Sequence, residues 1–306
     1  MNDHAHDRRP MKKDLAFLHA KKQARQKITM LTGYDYPTAC LEDQAGIDII
    51  LVGDSVGTNV LGYASEREVT MEDIVHHLKA VRRGVMQSYL LADLPYQSYA
   101  TPELASANAH TLLTRGADAV KLEGGLEQTE TIRRLTEQGI SVCGHIGFTP
   151  QTLHQPGRKA RVQGRSASAA VALLESAMAL EQAGATLLVL ELMPEALGQA
   201  ITECLRIPTI GIGAGRFCDG QVLIIHDLLG LTPFHLKFVK RYQPYRDLTL
   251  QAIEHYVRDV EGGHFPADEH AFHMDEAERT GVESWTRQWR SRAEQTAHRG
   301  DSAAGR

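Results

Sequence analysis

AGIDIILVGDSVG, residues 45–57, is an aliphatic run that stops on a carboxylate, Asp54. A run this apolar reads as a strand buried on both faces, as in parallel sheets covered by helices. Such a strand has no structural use for an acid at its tip. Three more runs end the same way: SYLLAD at Asp93, AVKLE at Glu123 and LLVLE at Glu191. Four such tips imply one site where carboxylates from several strands meet. The carboxyl ends of parallel barrel strands provide such a place.

Working outward, eight apolar runs begin at Ile28, Ile47, Ser88, Ala119, Ile140, Thr186, Pro208 and Gln221. Helical punctuation lies between several of them. Thr70 with Asp73 reads as a shortened capping box, followed by Ile74, Leu78 and Val81 at helical spacing and by Gly84 as a C-terminal glycine. Thr101-Pro102-Glu103 opens a second helix that closes near Gly116. Two more run from Gln128 to Gly139 and from Ala167 to Gly184. Repeated strand-then-helix units predict a single (β/α)8 barrel, with a doubly wound open sheet as the alternative. The expected organisation is a polar segment over residues 1–26, the barrel over 27–267, and a polar extension over 268–306 whose last part is disordered. The Gly-, Pro- and Arg-rich stretch 149–165 follows the fifth strand and is expected to lie over the barrel mouth.

Composition narrows the function. The 306 residues are 42% hydrophobic and 23% charged, with a net charge of -5 and a pI near 6.3. No basic face for nucleic acid is expected from that balance. Cys40, Cys143, Cys204 and Cys218 lack C-x-x-C spacing and read as reduced thiols in a cytoplasmic protein. No apolar stretch reaches spanning length, and residues 1–14 lack the apolar core of a signal peptide. There is no Walker loop, no G-x-S-x-G elbow and no H-E-x-x-H, which disfavours nucleotide hydrolases, esterases and zinc proteases together. GIGAG at 211–215 fails the dinucleotide pattern because Arg216 stands at its third glycine position.

Asp54 and Asp93 pair naturally as an anchor for Mg2+, a hard ion that keeps waters and takes substrate oxygens. Taken singly, each acid caps a turn more often than it binds metal. Lys121 and Glu123 lie two apart on one strand and share a face, either as an ion pair or with Lys121 facing an anionic substrate. Glu191 ends the most apolar run, where partial desolvation raises basicity, and is the candidate general base. The plainer reading is a buried glutamate paired with a cation. His145 can donate to a substrate oxygen, although a lone strand histidine is more often a core residue. His76, His77, His264, His270 and His273 are read as structural.

The chain resembles the ketopantoate hydroxymethyltransferase family. The resemblance runs from about Ile28 to about Phe272, through ITMLTGYDYPTA, AGIDIILVGDSVG, ADLPYQSY, GADAVKLEGG, GHIGFTPQ, AGATLLVLELMP and IPTIGIGAG. It implies a (β/α)8 barrel that moves a hydroxymethyl unit from 5,10-methylenetetrahydrofolate to 3-methyl-2-oxobutanoate through a Mg-stabilised enolate. It also implies Mg2+ held by Asp54 and Asp93, with Glu123 supporting the metal's water shell or Lys121. Ser55 and Lys121 hold the substrate, Glu191 is the base, and the assembly is a homodecamer. Three departures stand out: Gly33 replaces the usual alanine of TAYDY, Leu192 replaces a common cysteine, and GLTPFHL precedes KFVKRY. A phosphoenolpyruvate mutase or isocitrate lyase type enzyme is the runner-up, with Cys143-Gly144-His145 a faint echo of its loop. A barrel that has lost catalysis and serves as a binding or assembly module is the non-enzyme alternative.

Overall fold

The computed structural model describes residues 11–153, 160–233 and 235–301, with helical side chains to residue 293. Eight parallel strands follow one another round a closed ring. They are β1 (Ile28–Thr32), β2 (Ile49–Val52), β3 (Tyr89–Asp93), β4 (Ala119–Glu123), β5 (Val142–Gly147), β6 (Leu187–Glu191), β7 (Thr209–Ile212) and β8 (Gly220–Leu223). β8 pairs back onto β1, so the ring is a (β/α)8 barrel and not an open sheet.

The pleat sorts each strand's side chains into two sets. Ile50, Val52, Leu90, Ala92, Val120, Leu122, Leu188 and Leu190 face outward into a core shared with the helices. Ile49, Leu51, Tyr89, Leu91, Ala119, Cys143, Leu187, Val189, Ile210 and Val222 fill the barrel interior. Each fully buried aliphatic side chain contributes roughly 1.5–3 kcal/mol of burial free energy. Helix Met71–Gly84 turns Ile74, Leu78 and Val81 inward and starts on the predicted Thr70–Asp73 capping box. Gly84, however, is no left-handed cap. It ends the helix, and a Cβ there would meet Tyr36 O at 2.8 Å and Ala39 Cβ at 3.0 Å. It is glycine so that helix Tyr36–Gln44 can approach.

Residues 1–26 hold more than a polar lead-in, for Leu15–Gln23 is a helix capped by Asp14. Leu18 is fully buried among the interior side chains. Lysines around it reach acids that immediately precede strands: Lys13 and Lys21 pair with Asp48 at 3.1 and 2.5 Å, and Lys22 with Asp219 at 2.6 Å. Lys12 pairs with Asp118 at 2.6 Å. The helix therefore plugs the amino-terminal end of the barrel.

Gly33, the departure from alanine, has a local cause. A Cβ there would lie 2.7 Å from Glu42 Oε2 and 2.9 Å from Ile50 Cγ2. Glu42 is 4% exposed, and neither carboxylate oxygen has a hydrogen-bond partner among the described residues. Burial, with a smaller push from Asp35, raises its pKa from 4.5 to about 8. Between those values the native state keeps a proton that the unfolded chain has released. Stability therefore falls as pH rises through that window and is flat above it. Glu42→Gln is expected to leave stability unchanged near pH 4 and to raise it near pH 8, by on the order of 3–5 kcal/mol. Denaturant melts at the two pH values check this, and equal shifts at both would refute it.

The chain divides into compact units at Arg246 and Asp247, a boundary inside helix Tyr245–Glu261. The second unit also contains helix Glu276–Asp301, a regular element within the extension read as merely polar. Residues 302–306, where disorder is expected, lie outside the described residues. Among the described residues, no helix is long and apolar enough to cross a membrane.

Candidate active site

Strand register places the chemistry. Asp93 on β3 is the partner of Lys121 on β4, Glu123 on β4 is the partner of His145 on β5, and Gly147 on β5 is the partner of Glu191 on β6. Because Asp93, Lys121, Glu123, His145 and Glu191 share the inward phase, they form one polar layer above the apolar interior. Asp54 and Ser55 join it from the turn after β2. All seven residues singled out from the sequence line one cavity of about 220 Å3.

Lys121 Nζ lies 2.7 Å from Asp93 Oδ1, and Asp93 Oδ2 accepts the Asp54 backbone N–H at 3.0 Å. Burial opposes the charge on Lys121, but Asp93, Asp54 and Glu123 together outweigh it and hold the ammonium protonated. His145 stands between two acids, with Nδ1 3.2 Å from Glu123 Oε1 and Nε2 3.2 Å from Glu191 Oε2. Burial disfavours its cation, yet Glu123 and Glu191 prevail and raise its pKa to about 9. Burial works against ionisation of Glu123 as well. His145, Lys121 and the Gln151 N–H overcome it and pull the pKa below the ordinary value. Glu191, whose side chain is 16% exposed, goes the other way: burial raises its pKa, against His145. Glu191 is thus the more basic of the two glutamates and the less buried, the Glu123 side chain being 1% exposed.

Asp54 is the outlier. Burial first, then Asp93 and Glu123, push its pKa well above the usual carboxylate range. With all four acids ionised, Lys121 and a protonated His145 would leave two negative charges unbalanced, the number a divalent cation supplies, and such an ion would offset the repulsion that raises Asp54. Asp54 Oδ2 is taken by Gln151, while Oδ1 makes no hydrogen bond among the described residues. Both Glu123 oxygens are engaged, one near His145 and the other accepting from Gln151 N at 2.9 Å. Among the described residues, no three or more His, Cys, Asp and Glu side chains form a ready metal cage. The donor set fits an ion held by one or two carboxylates that keeps most of its waters.

Two polar side chains here escape a reading based on charge. Tyr34 OH meets Ser55 Oγ at 2.7 Å, and fully buried Gln151 bridges several groups from the short helix Pro150–Leu153. Gln151 lies in the stretch expected over the mouth, of which residues 154–159 are outside the described set. Its only sequence signal was membership of the GHIGFTPQ motif. Of the remaining histidines, His77 Nδ1 bonds Tyr34 O at 2.7 Å, and within the second unit His273 pairs with Asp268 at 3.1 Å. In GIGAG, a Cβ on Gly211 would come 2.9 Å from Cys218 Sγ, and one on Gly213 3.1 Å from Leu192, so these glycines admit neighbouring side chains.

Comparison with known proteins adds sequence kinship to this geometry. A family model described as ketopantoate hydroxymethyltransferase matches residues 12–268. A 3-methyl-2-oxobutanoate hydroxymethyltransferase of Chloroflexus aurantiacus is 51% identical over 255 residues, covering 83% of this chain and 90% of that protein. One from Roseiflexus sp. is 50% identical over 270 residues, 88% of this chain and 97% of that protein. Among solved structures, phosphonopyruvate hydrolase with oxalate and Mg2+ superposes with a TM-score of 0.57 at 13% identity, covering 92% of this chain and 99% of that one. 2,3-Dimethylmalate lyase, of the PEP mutase/isocitrate lyase superfamily, gives 0.53 at 13% identity, over 90% and 100%. At such identities the likeness is one of fold.

Proposed function

The chain belongs to the ketopantoate hydroxymethyltransferase family, and from that premise we propose that it transfers a hydroxymethyl group from 5,10-methylenetetrahydrofolate to 3-methyl-2-oxobutanoate, forming 2-dehydropantoate. The observation that carries the reading is identity near 50% across most of the chain to enzymes of that name. The mutase and lyase alternative shares the barrel at 13% identity and lacks that support.

Asp54 and Asp93 would hold Mg2+, with Glu123 supporting from behind through Lys121 and the surrounding charge. When bound, the ion would draw electron density from the 2-oxo group and so acidify C3–H. Lys121 has three donors, one spent on Asp93, and with Ser55 it grips the substrate carboxylate. Tyr34 fixes the Ser55 hydroxyl for that task. Glu191 takes the C3 proton, for its pKa is raised, it lines the cavity and, unlike Asp54, it is not assigned to the metal. His145 keeps Glu191 in place and offsets the charge it shares with Glu123. C3 of the substrate then forms a bond to the one-carbon unit while both bonds from that carbon to the folate nitrogens break. Water supplies the hydroxyl group, its second proton and the proton taken from C3 end on the two nitrogens, and tetrahydrofolate leaves.

The test is product formation from the two proposed substrates with and without Mg2+. Turnover is expected only when folate, oxo acid and metal are all present. Carbon–carbon cleavage of an oxo acid without folate would favour the mutase and lyase class, and absence of metal-dependent substrate binding would favour an inert barrel. A homodecamer in the cytoplasm is part of the same reading, and light scattering of the purified protein tests the assembly.

A further inference from the structure

Gln151 is fully buried, and its backbone N–H and both ends of its side-chain amide are hydrogen-bonded. Its backbone N–H donates to Glu123 Oε2 at 2.9 Å. Its side-chain nitrogen donates to Asp54 Oδ2 at 2.8 Å and to the Leu94 carbonyl at 3.1 Å. Its side-chain oxygen accepts from Tyr99 OH. The Leu94 carbonyl can only accept, so the amide nitrogen must face it, and the amide has one permitted orientation. Tyr99 locks that orientation from the far side; burial keeps its phenol protonated and therefore a donor.

The consequence falls on Asp54. A carboxylate on a short side chain can present either oxygen to the cavity. Here Oδ2 is committed to an amide that cannot flip, which leaves Oδ1 open. We propose that Gln151 is a positioning residue that fixes the orientation of the Asp54 carboxylate, so that its other oxygen faces a divalent cation, and that Tyr99 acts on Asp54 only through Gln151. This rests on the reading of Asp54 as a metal ligand. The backbone bond to Glu123 is independent of the side chain, so substitution of Gln151 leaves that bond in place.

The test is Mn2+ binding, followed by the electron paramagnetic resonance signal of the free ion, on the full chain without substrate. Thermal melts of each variant are recorded alongside. Partners outside the ligand shell typically change metal affinity ten- to hundredfold. Gln151→Met keeps the volume and removes the donor, and is expected to weaken Mn2+ binding by about tenfold or more. Tyr99→Phe removes one hydroxyl and is expected to weaken it by about threefold. In the Gln151→Met background, Tyr99→Phe is expected to have no further effect on Mn2+ binding, because its route to Asp54 is gone. A merely structural pair would lower the melting temperatures and leave the Mn2+ Kd unchanged, which would overturn the proposal. Independent, multiplying losses would overturn the Tyr99 part. Wild-type protein that binds no Mn2+ would overturn the metal reading itself. Should Gln151→Met not fold, Tyr99→Phe alone decides: an unchanged Kd refutes the coupling.

Discussion

Asp93→Ala is expected to abolish metal-dependent turnover and to destabilise the fold by roughly 3–5 kcal/mol. The two effects have separate causes. Turnover is lost because half of the proposed metal anchor is gone. Stability is lost because Lys121, 4% exposed and 2.7 Å from Asp93, would keep its charge in a buried site with its closest partner removed. Asp54→Ala is expected to abolish turnover equally while leaving stability unchanged or higher. It removes a carboxylate that burial and two neighbouring acids already disfavour. Turnover assays over a Mg2+ series, paired with denaturant melts, separate the cases. Full activity in both variants would rule out the metal site, and equal melts would rule out the account of Lys121.

Glu191→Gln is expected to leave 3-methyl-2-oxobutanoate bound and to slow exchange of its C3 proton with solvent deuterium by about 10²–10⁴. The amide keeps the shape of the carboxylate and the approach to His145 Nε2, but cannot accept the proton. Exchange measured without folate isolates this step from one-carbon transfer. Exchange at the wild-type rate would remove Glu191 as the base, and His145 would be the next group to examine.

The barrel was legible because its signal is repeated: eight short apolar runs, several of them followed by punctuation that has a physical cause. The acids were legible because a strand buried on both faces gives no reason for a carboxylate at its end. The register adds that Asp93 lies beside Lys121 and Glu123 beside His145, neighbours that the sequence reading did not pair. What stayed hidden was whatever lacked charge or period. Gln151 is neutral and sits on a single helical turn, so its four bonds leave no trace in composition. Helix Leu15–Gln23 buries little besides Leu18, and its lysines read as solvent-facing until the acids beneath them are in place. Gly84 looked like a cap because glycine after a helical run usually is one; only a second helix gives its actual reason. The helix Glu276–Asp301 carries too few apolar residues for a period to show.

The plug at the barrel's amino-terminal end also sets a schedule. Lys22 and its partner Asp219 are separated by 197 positions, and β1 cannot complete its pairing until β8 arrives. A ribosome adding about 5–20 residues per second needs roughly ten to forty seconds to cover that distance. During that interval the nascent chain holds Leu18 and the open edge of β1 without their final partners. An early-made strand edge that waits this long is a place for chaperones to act. The yield of correctly closed barrel should therefore respond to translation speed more than its final stability would suggest.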